Sequence, residues 1–278
     1  MNATELEVKA NDIRKDIVGM IAQAGSGHPG GSLSCADILT ALYFGGVLAH
    51  DPSNPLDDAR DRFILSKGHA APAFYATLAH AGYFPCDELV TLRRLGSRLQ
   101  GHPDSNKVPG VEVCTGSLGQ GLSIASGIAC GLRLAKSDAR VFTLLGDGEC
   151  QEGQVWEAAM FAAHQHLGNL VAIVDHNGLQ IDGCITDVCS PEDIGVKFSA
   201  FGWEVMSCDG HNMAEIVKVL LDAKAQKTDK PYVIIAETIK GKGVSFMEDQ
   251  AGWHGRAPKP EETKIALTEL EEKGAHRG

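Results

Sequence analysis

The sequence has no run of about 18 apolar residues, the length a membrane-spanning helix needs. Its first ten residues, Met1 to Ala10, carry no apolar leader core. A cytoplasmic protein with no membrane partner is expected. Positive charge is also in short supply: 25 Lys and Arg stand against 36 Asp and Glu, a formal net charge of -11. That balance repels nucleic-acid backbones and anionic lipid surfaces, so nucleic acid is not the expected partner. There is no Cys-x-x-Cys pair. The eight cysteines are scattered through 278 residues, a chain long enough to fold without cross-links, and they read as reduced thiols. Internal repeats and low-complexity segments are absent, which excludes solenoids and fibres. What is plentiful is glycine, 32 residues spread among short motifs rather than gathered in a linker.

Periodicity predicts the layout. Ile13, Ile17, Met20, Ile21 and Ala24 recur at helical spacing before the breaker run Gly25 to Gly31, and a second helix carries Ile38, Leu39 and Leu42. A short strand fits Arg62–Leu65. Helices are expected over 70–81, 87–95 and about 118–136, with an exposed loop over 100–110. Three apolar runs, Val141–Leu145, Leu170–Val174 and Tyr232–Ala236, then alternate with helices near 154–166 and 213–224. Strands without polar alternation, separated by helices, belong to a parallel sheet covered on both faces. The expected fold is therefore a doubly wound α/β domain over residues 1–258, followed by a polar tail, 259–278, of helical tendency that docks loosely or frays.

Gly25-x-Gly27-x-x-Gly30 fits the dinucleotide fingerprint only in letters, because it follows a helix and contains Pro29. Gly116-x-x-Gly119-x-Gly121 sits where a loop enters a helix and suits anion capture or close packing. The strongest signal is Leu145-Gly-Asp-Gly148 directly after one strand and Asp175-His-Asn-Gly-Leu-Gln180 directly after the next. Either turn alone is ordinary Asp-Gly or Asn-Gly chemistry. Both together place the Asp147 carboxylate and the Asn177 amide oxygen at the carboxyl ends of adjacent strands, where open α/β sheets bind ligands. With the Leu179 carbonyl and two diphosphate oxygens they nearly complete the six oxygens that magnesium takes.

The pair Gly146-Asp147-Gly148 and Asn177 resembles the thiamine diphosphate signature. Its surroundings resemble one family, the transketolases: Ser26-Gly-His-Pro-Gly30, Asp61-Arg-Phe-Ile-Leu-Ser-Lys-Gly-His69, Gly101-His-Pro103, Thr115-Gly-Ser-Leu-Gly-Gln-Gly121, Asp209-Gly-His211 and Trp253-His-Gly255, in the family's order. The resemblance covers residues 10–258 and matches that family's pyrophosphate-binding domain. It implies thiamine diphosphate as cofactor and Mg2+, replaceable by Ca2+ or Mn2+, held by Asp147, Asn177 and the Leu179 carbonyl. It implies cofactor contacts from His69, Gly148, His254, Lys240, Gly116 and Leu118. It also implies a substrate funnel of His28, His102 and His254 that binds sugar hydroxyls and shuttles protons, a task suited to uncharged imidazoles. His211 is expected to hold a turn; His50, His80, His164, His166 and His276 are expected to be structural or exposed. Ser117 and His176 depart from the family pattern, and neither removes a metal ligand.

The family's reaction needs a glutamate from a pyrimidine-binding domain, and no segment here resembles the motif that carries it. The resemblance therefore implies a second subunit bearing the pyrimidine-binding and C-terminal domains, and a heterotetramer with two copies of each chain. The expected activity is ketol transfer from a ketose phosphate to an aldose phosphate. Two other outcomes stay open: the equivalent subunit of another thiamine diphosphate-dependent ketol synthase, and a non-catalytic module retaining the fold.

Overall fold

The computed structural model describes residues 1–275. Helix α1 (Ala3–Ala24) starts at a reciprocal cap: the Asn2 side chain accepts from the Glu5 amide at 2.9 Å, and Glu5 accepts from the Asn2 amide at 2.8 Å. Its Leu6, Ala10, Ile13, Ile17 and Ile21 face inward at three- and four-residue spacing, and it ends at Gly25. The breaker run then yields a short helix α2 (Pro29–Ser34), with Pro29 at its first position, followed by α3 (Ala36–Phe44). Strand β1 (Arg62–Leu65) leads into α4 (Ala71–His80). The helix expected over 87–95 is instead a tight 3-10 turn at Cys86–Thr91.

From there the chain alternates. Helix α5 (Gln120–Leu134), strand β2 (Val141–Gly146), helix α6 (Gly153–His164) and strand β3 (Leu170–His176) follow one another. A two-residue hairpin, β4 (Leu179–Gln180) and β5 (Gly183–Cys184), and the helices α7 (Ile185–Cys189) and α8 (Ile194–Ala200) intervene before β6 (Glu204–Asp209). Helix α9 (Met213–Ala225) and strand β7 (Tyr232–Glu237) complete the sheet. Its order is β1-β2-β3-β7-β6, every pair parallel. Helices cover both faces, as expected for a doubly wound fold. Alternate strand residues divide between two cores: Phe142, Leu144, Val171 and Ile173 pack toward α1, α3 and α4, whereas Val141, Leu145, Leu170 and Val174 pack toward α5 and α6.

Strand β6 is an element the apolar-run criterion does not find. Its Glu204-Val-Met-Ser-Cys-Asp209 is half exposed because it forms the sheet edge, so it lacks the solid apolar run of its neighbours. The segment after residue 258, expected to be helical in tendency but loosely docked, forms helix α10 (Pro260–Ala275) packed against α1. Ala266 and Leu270 are fully buried, and Asn11 donates to the Leu270 carbonyl at 2.7 Å. Two apolar positions a turn apart are enough to dock a helix whose other faces are charged. The expectation for His276 lies outside the described residues. Among those residues, all eight cysteines are free and no helix is long and apolar enough to cross a membrane.

Candidate functional site

The carboxyl ends of β1, β2, β3 and β7 converge on one cavity of about 210 Å3, lined by His69, Leu118, Asp147, Gly148, Asn177, Leu179, Lys240 and His254 together with Lys67 and Glu149. A larger depression of about 530 Å3 around Asp193 and Ser199 shares none of these residues. Parallel strands all end on the same side of a sheet, so short loops suffice to bring four sequence-distant segments together.

Asp147, 2% exposed, accepts from the amides of Gly148 at 2.7 Å and Gly178 at 2.5 Å. No ion pair compensates it among the described residues, and burial, followed by the charge of Asp175, pushes its carboxyl upward. Asn177 has its nitrogen 3.4 Å from both Ser34 Oγ and Asp175 Oδ2, and its oxygen accepts from the Leu179 amide at 3.2 Å. Ser34 spends its own proton on Asp175 at 2.6 Å, so its oxygen can only accept, which orients the amide. The Leu179 carbonyl accepts from Lys240 Nζ at 2.9 Å.

Beneath these donors lies a support that sequence reasoning missed. Asp175, fully buried, receives Lys67, Ser34 and Thr238. Burial alone would raise its carboxyl, but the Lys67 ammonium prevails and holds it low; the same pairing holds Lys67 up against its own burial. Glu149 sits on the other side and accepts from Ser66 and from the amides of Gly119 and Gly146, tying the 116–119 loop to the end of β2. Gly121 opens α5 in contact with Ser66: a Cβ there would overlap the Ser66 hydroxyl. Lys67 and Asp175 lie inside motifs that carry the family resemblance, and their position immediately after strands is the signal available. Nothing in the sequence marks Glu149 as buried.

The histidines gather beside the cavity. The His69 and His254 rings stack at 5.1 Å, and His28 stands edge-on to both at 5.4 and 5.5 Å. The imidazole of His254 accepts at Nδ1 from Lys240 at 3.0 Å, which puts its proton on Nε2. The His102 ring lies against Gly116. Burial, then neighbouring Arg93, His102 and Lys240, lowers His28 to about 4. Burial and Lys240 lower His254 to about 3; His69 lies well below its usual value and His102 is lowered, both first by burial. Lys240 itself drops to about 8 through burial and the charge of Lys67. At neutral pH the cluster is a set of uncharged proton donors and acceptors. His211 lies apart from the cavity lining: it meets Asp37 at 2.7 Å through Nδ1 and accepts the Ile239 amide at 2.8 Å through Nε2. It thus anchors the residue before Lys240. Every residue singled out as a metal, cofactor or funnel group lies in or beside this one region.

The family described as transketolase, thiamine diphosphate binding domain, matches residues 6–273. A 6-deoxy-6-sulfo-D-fructose transketolase subunit from Clostridium sp. (strain MSTE9) is 46% identical over 271 residues, 98% of each chain. One subunit of the apulose-4-phosphate transketolase from Actinobacillus succinogenes is 44% identical over 96% of each. The solved transketolase of Campylobacter jejuni superposes with a TM-score of 0.87 at 33% identity, over all of this chain and 48% of that one. This chain thus spans less than half the length of the solved transketolases it matches.

Proposed function

This chain belongs to the transketolase thiamine diphosphate-binding domain family, and from that premise we propose that it is one subunit of a two-chain transketolase. It binds magnesium and thiamine diphosphate and moves a two-carbon ketol unit from a ketose phosphate to an aldose phosphate. The observation that carries this reading is the Asp147 carboxylate, without an ion pair among the described residues and set with the Asn177 oxygen and the Leu179 carbonyl on a cavity that the uncharged imidazoles of His69 and His254 also line. The partner chain is supported by relatives of the same length that are named as subunits. It would bring the pyrimidine-binding glutamate, in a heterotetramer.

The donor set fits the metal. A buried carboxylate with a neighbouring negative charge is stabilised by a divalent cation. Asn177 and Leu179 each use one oxygen lone pair, on the Leu179 amide and Lys240 respectively, and keep another free. One carboxylate leaves room for diphosphate oxygens, the pattern typical of magnesium. His69, Gly148 and Lys240 would hold the diphosphate, and Gly116 and Leu118 the aminopyrimidine.

Bound thiamine diphosphate supplies the electron sink for cleaving the bond beside a ketose carbonyl. The chain's own residues bind and orient the sugar. His28, His102 and His254 offer neutral imidazoles to its hydroxyls, and His254, its Nδ1 occupied by Lys240, donates and recovers a proton at Nε2. His28, His69 and His254 are half-buried and His102 is exposed in the single chain, so excluding water from the cleavage point would fall to the partner chain.

Reconstitution with the chain carrying the pyrimidine-binding domain tests the proposal. Xylulose phosphate should donate to ribose phosphate only when both chains are present. Full activity without the second polypeptide, or pyruvate decarboxylation in place of transfer, overturns it.

A further inference from the structure

Arg93 breaks a local rule. It is a half-buried, non-glycine residue with φ 58°, in the left-handed region that costs most side chains energy, and it is held there by its amide bonding to the Leu99 carbonyl at 2.8 Å. No carboxylate lies within ion-pair range of its guanidinium among the described residues. The side chain instead reaches across two loops. One nitrogen donates to Ser26 Oγ at 2.7 Å and the other faces His28 Nδ1 at 3.5 Å. The guanidinium also lies so near Gly101 that a Cβ there would come within 3.2 Å of three of its atoms. Gly101 directly precedes His102, so this one cation is braced between the segments carrying His28 and His102.

We infer that Arg93 is a positioning residue: by presenting an N–H to Nδ1 of His28 it forces that nitrogen to accept, fixing the proton on Nε2. A guanidinium has no acceptor, so the opposite tautomer would set two donors face to face. The Nε2 edge of His28 then lies toward Gly255, next to His254. The charges and rings facing His28 are Arg93, His102, Lys240, His69 and His254, none of them an anion, and the depression of its pKa to about 4, caused first by burial and then by Arg93, agrees with this surrounding. The consequence for turnover rests on the transketolase reading above; the tautomer itself does not.

The full chain, labelled with 15N at histidine, gives a direct readout by long-range proton–nitrogen correlation. His28 should appear as the Nε2–H tautomer and stay neutral at pH 5. In Arg93→Met it should become a tautomer mixture whose apparent pKa rises by at least one unit. Arg93→Lys keeps the charge but not the two-pronged reach, so it should retain most of the pKa depression while losing tautomer purity. Ser26→Ala, which removes only the anchor, should move His28 in the same direction by less and serves if Arg93→Met does not fold. In the reconstituted enzyme, Arg93→Met should shift the acid limb of kcat/KM upward, with Arg93→Lys restoring it. An unchanged His28 tautomer and titration in folded Arg93 and Ser26 variants overturns the inference, even if ketol transfer is found. Absence of ketol transfer in the native pair overturns the functional reading without touching it.

Discussion

The amide nitrogen of Asn177 is turned toward Asp175 Oδ2, 3.4 Å away, so the residue that faces the candidate cation is aimed by one that cannot reach it. Asp175 is in turn held by Lys67, Ser34 and Thr238. Outer contacts of this kind orient ligand atoms and are worth roughly 10–100-fold in metal affinity.

The direct ligand should matter more than its supports. Asp147→Ala in the assembled enzyme is expected to raise the Kd for thiamine diphosphate in magnesium by more than about 100-fold, because the only carboxylate of the set is gone. Calorimetry giving an affinity within a few-fold of the native value would refute the assignment.

Lys67→Met leaves Asp175 charged, buried and without its cation. Breaking a buried pair from one side typically costs about 3–5 kcal/mol. Urea unfolding of the single chain should show a loss of that order, and a loss below about 1 kcal/mol would mean that Ser34 and Thr238 suffice.

Two glycines of α5 make a controlled comparison. Gly121→Ala drives a methyl into Ser66 and should cost about 1–3 kcal/mol, loosening the grip of Ser66 on Glu149 as well. A methyl added at Gly127 would have nothing within 4 Å, so Gly127→Ala should be neutral or stabilising by up to about 1 kcal/mol. Equal effects of the two changes on the thermal midpoint of the chain would contradict the packing described for Ser66.

The histidine cluster sets an acid limit. His28 and His254 titrate near 4 and 3 in the folded chain, below the value of about 6.5 in an unfolded one. Between these values the unfolded state binds more protons, so their contribution is complete above pH 6.5 and is lost as pH falls, through about 4 for His28 and about 3 for His254. Urea midpoints between pH 7 and 5 should therefore decline, and less steeply in a His28→Gln/His254→Gln variant. Parallel declines in the two proteins would place the sensitivity elsewhere.

The legible parts were those with short-range grammar. Val141–Leu145 and Leu170–Val174 announce buried parallel strands, and Asp147 and Asn177 announce a site because they come immediately after them. What stayed hidden depends on which distant segments meet. Glu149 looks like any acid after a turn until Ser66 and Gly119 arrive, and Arg93 sits in what reads as an ordinary helix until its loop brings it to Ser26 and His28. Strand β6 escaped because an edge strand needs only half an apolar pattern.

The strand order has a kinetic corollary. Asp175 takes its partners from 141 and 108 residues upstream and 63 downstream, so several large loops must close before its charge is matched. Strands β2 and β3 can pair across the single helix α6, but β7 inserts between β3 and β6 only after both exist. During synthesis the chain therefore passes through a stage with the β3 edge bare and Asp175 without Thr238, the stage most exposed to wrong edge pairing. Pulse-labelled hydrogen exchange during refolding should protect β2 and β3 amides before those of β7. The candidate cavity, which takes Lys240 and His254 from beyond β7, can then be completed only after that strand has paired.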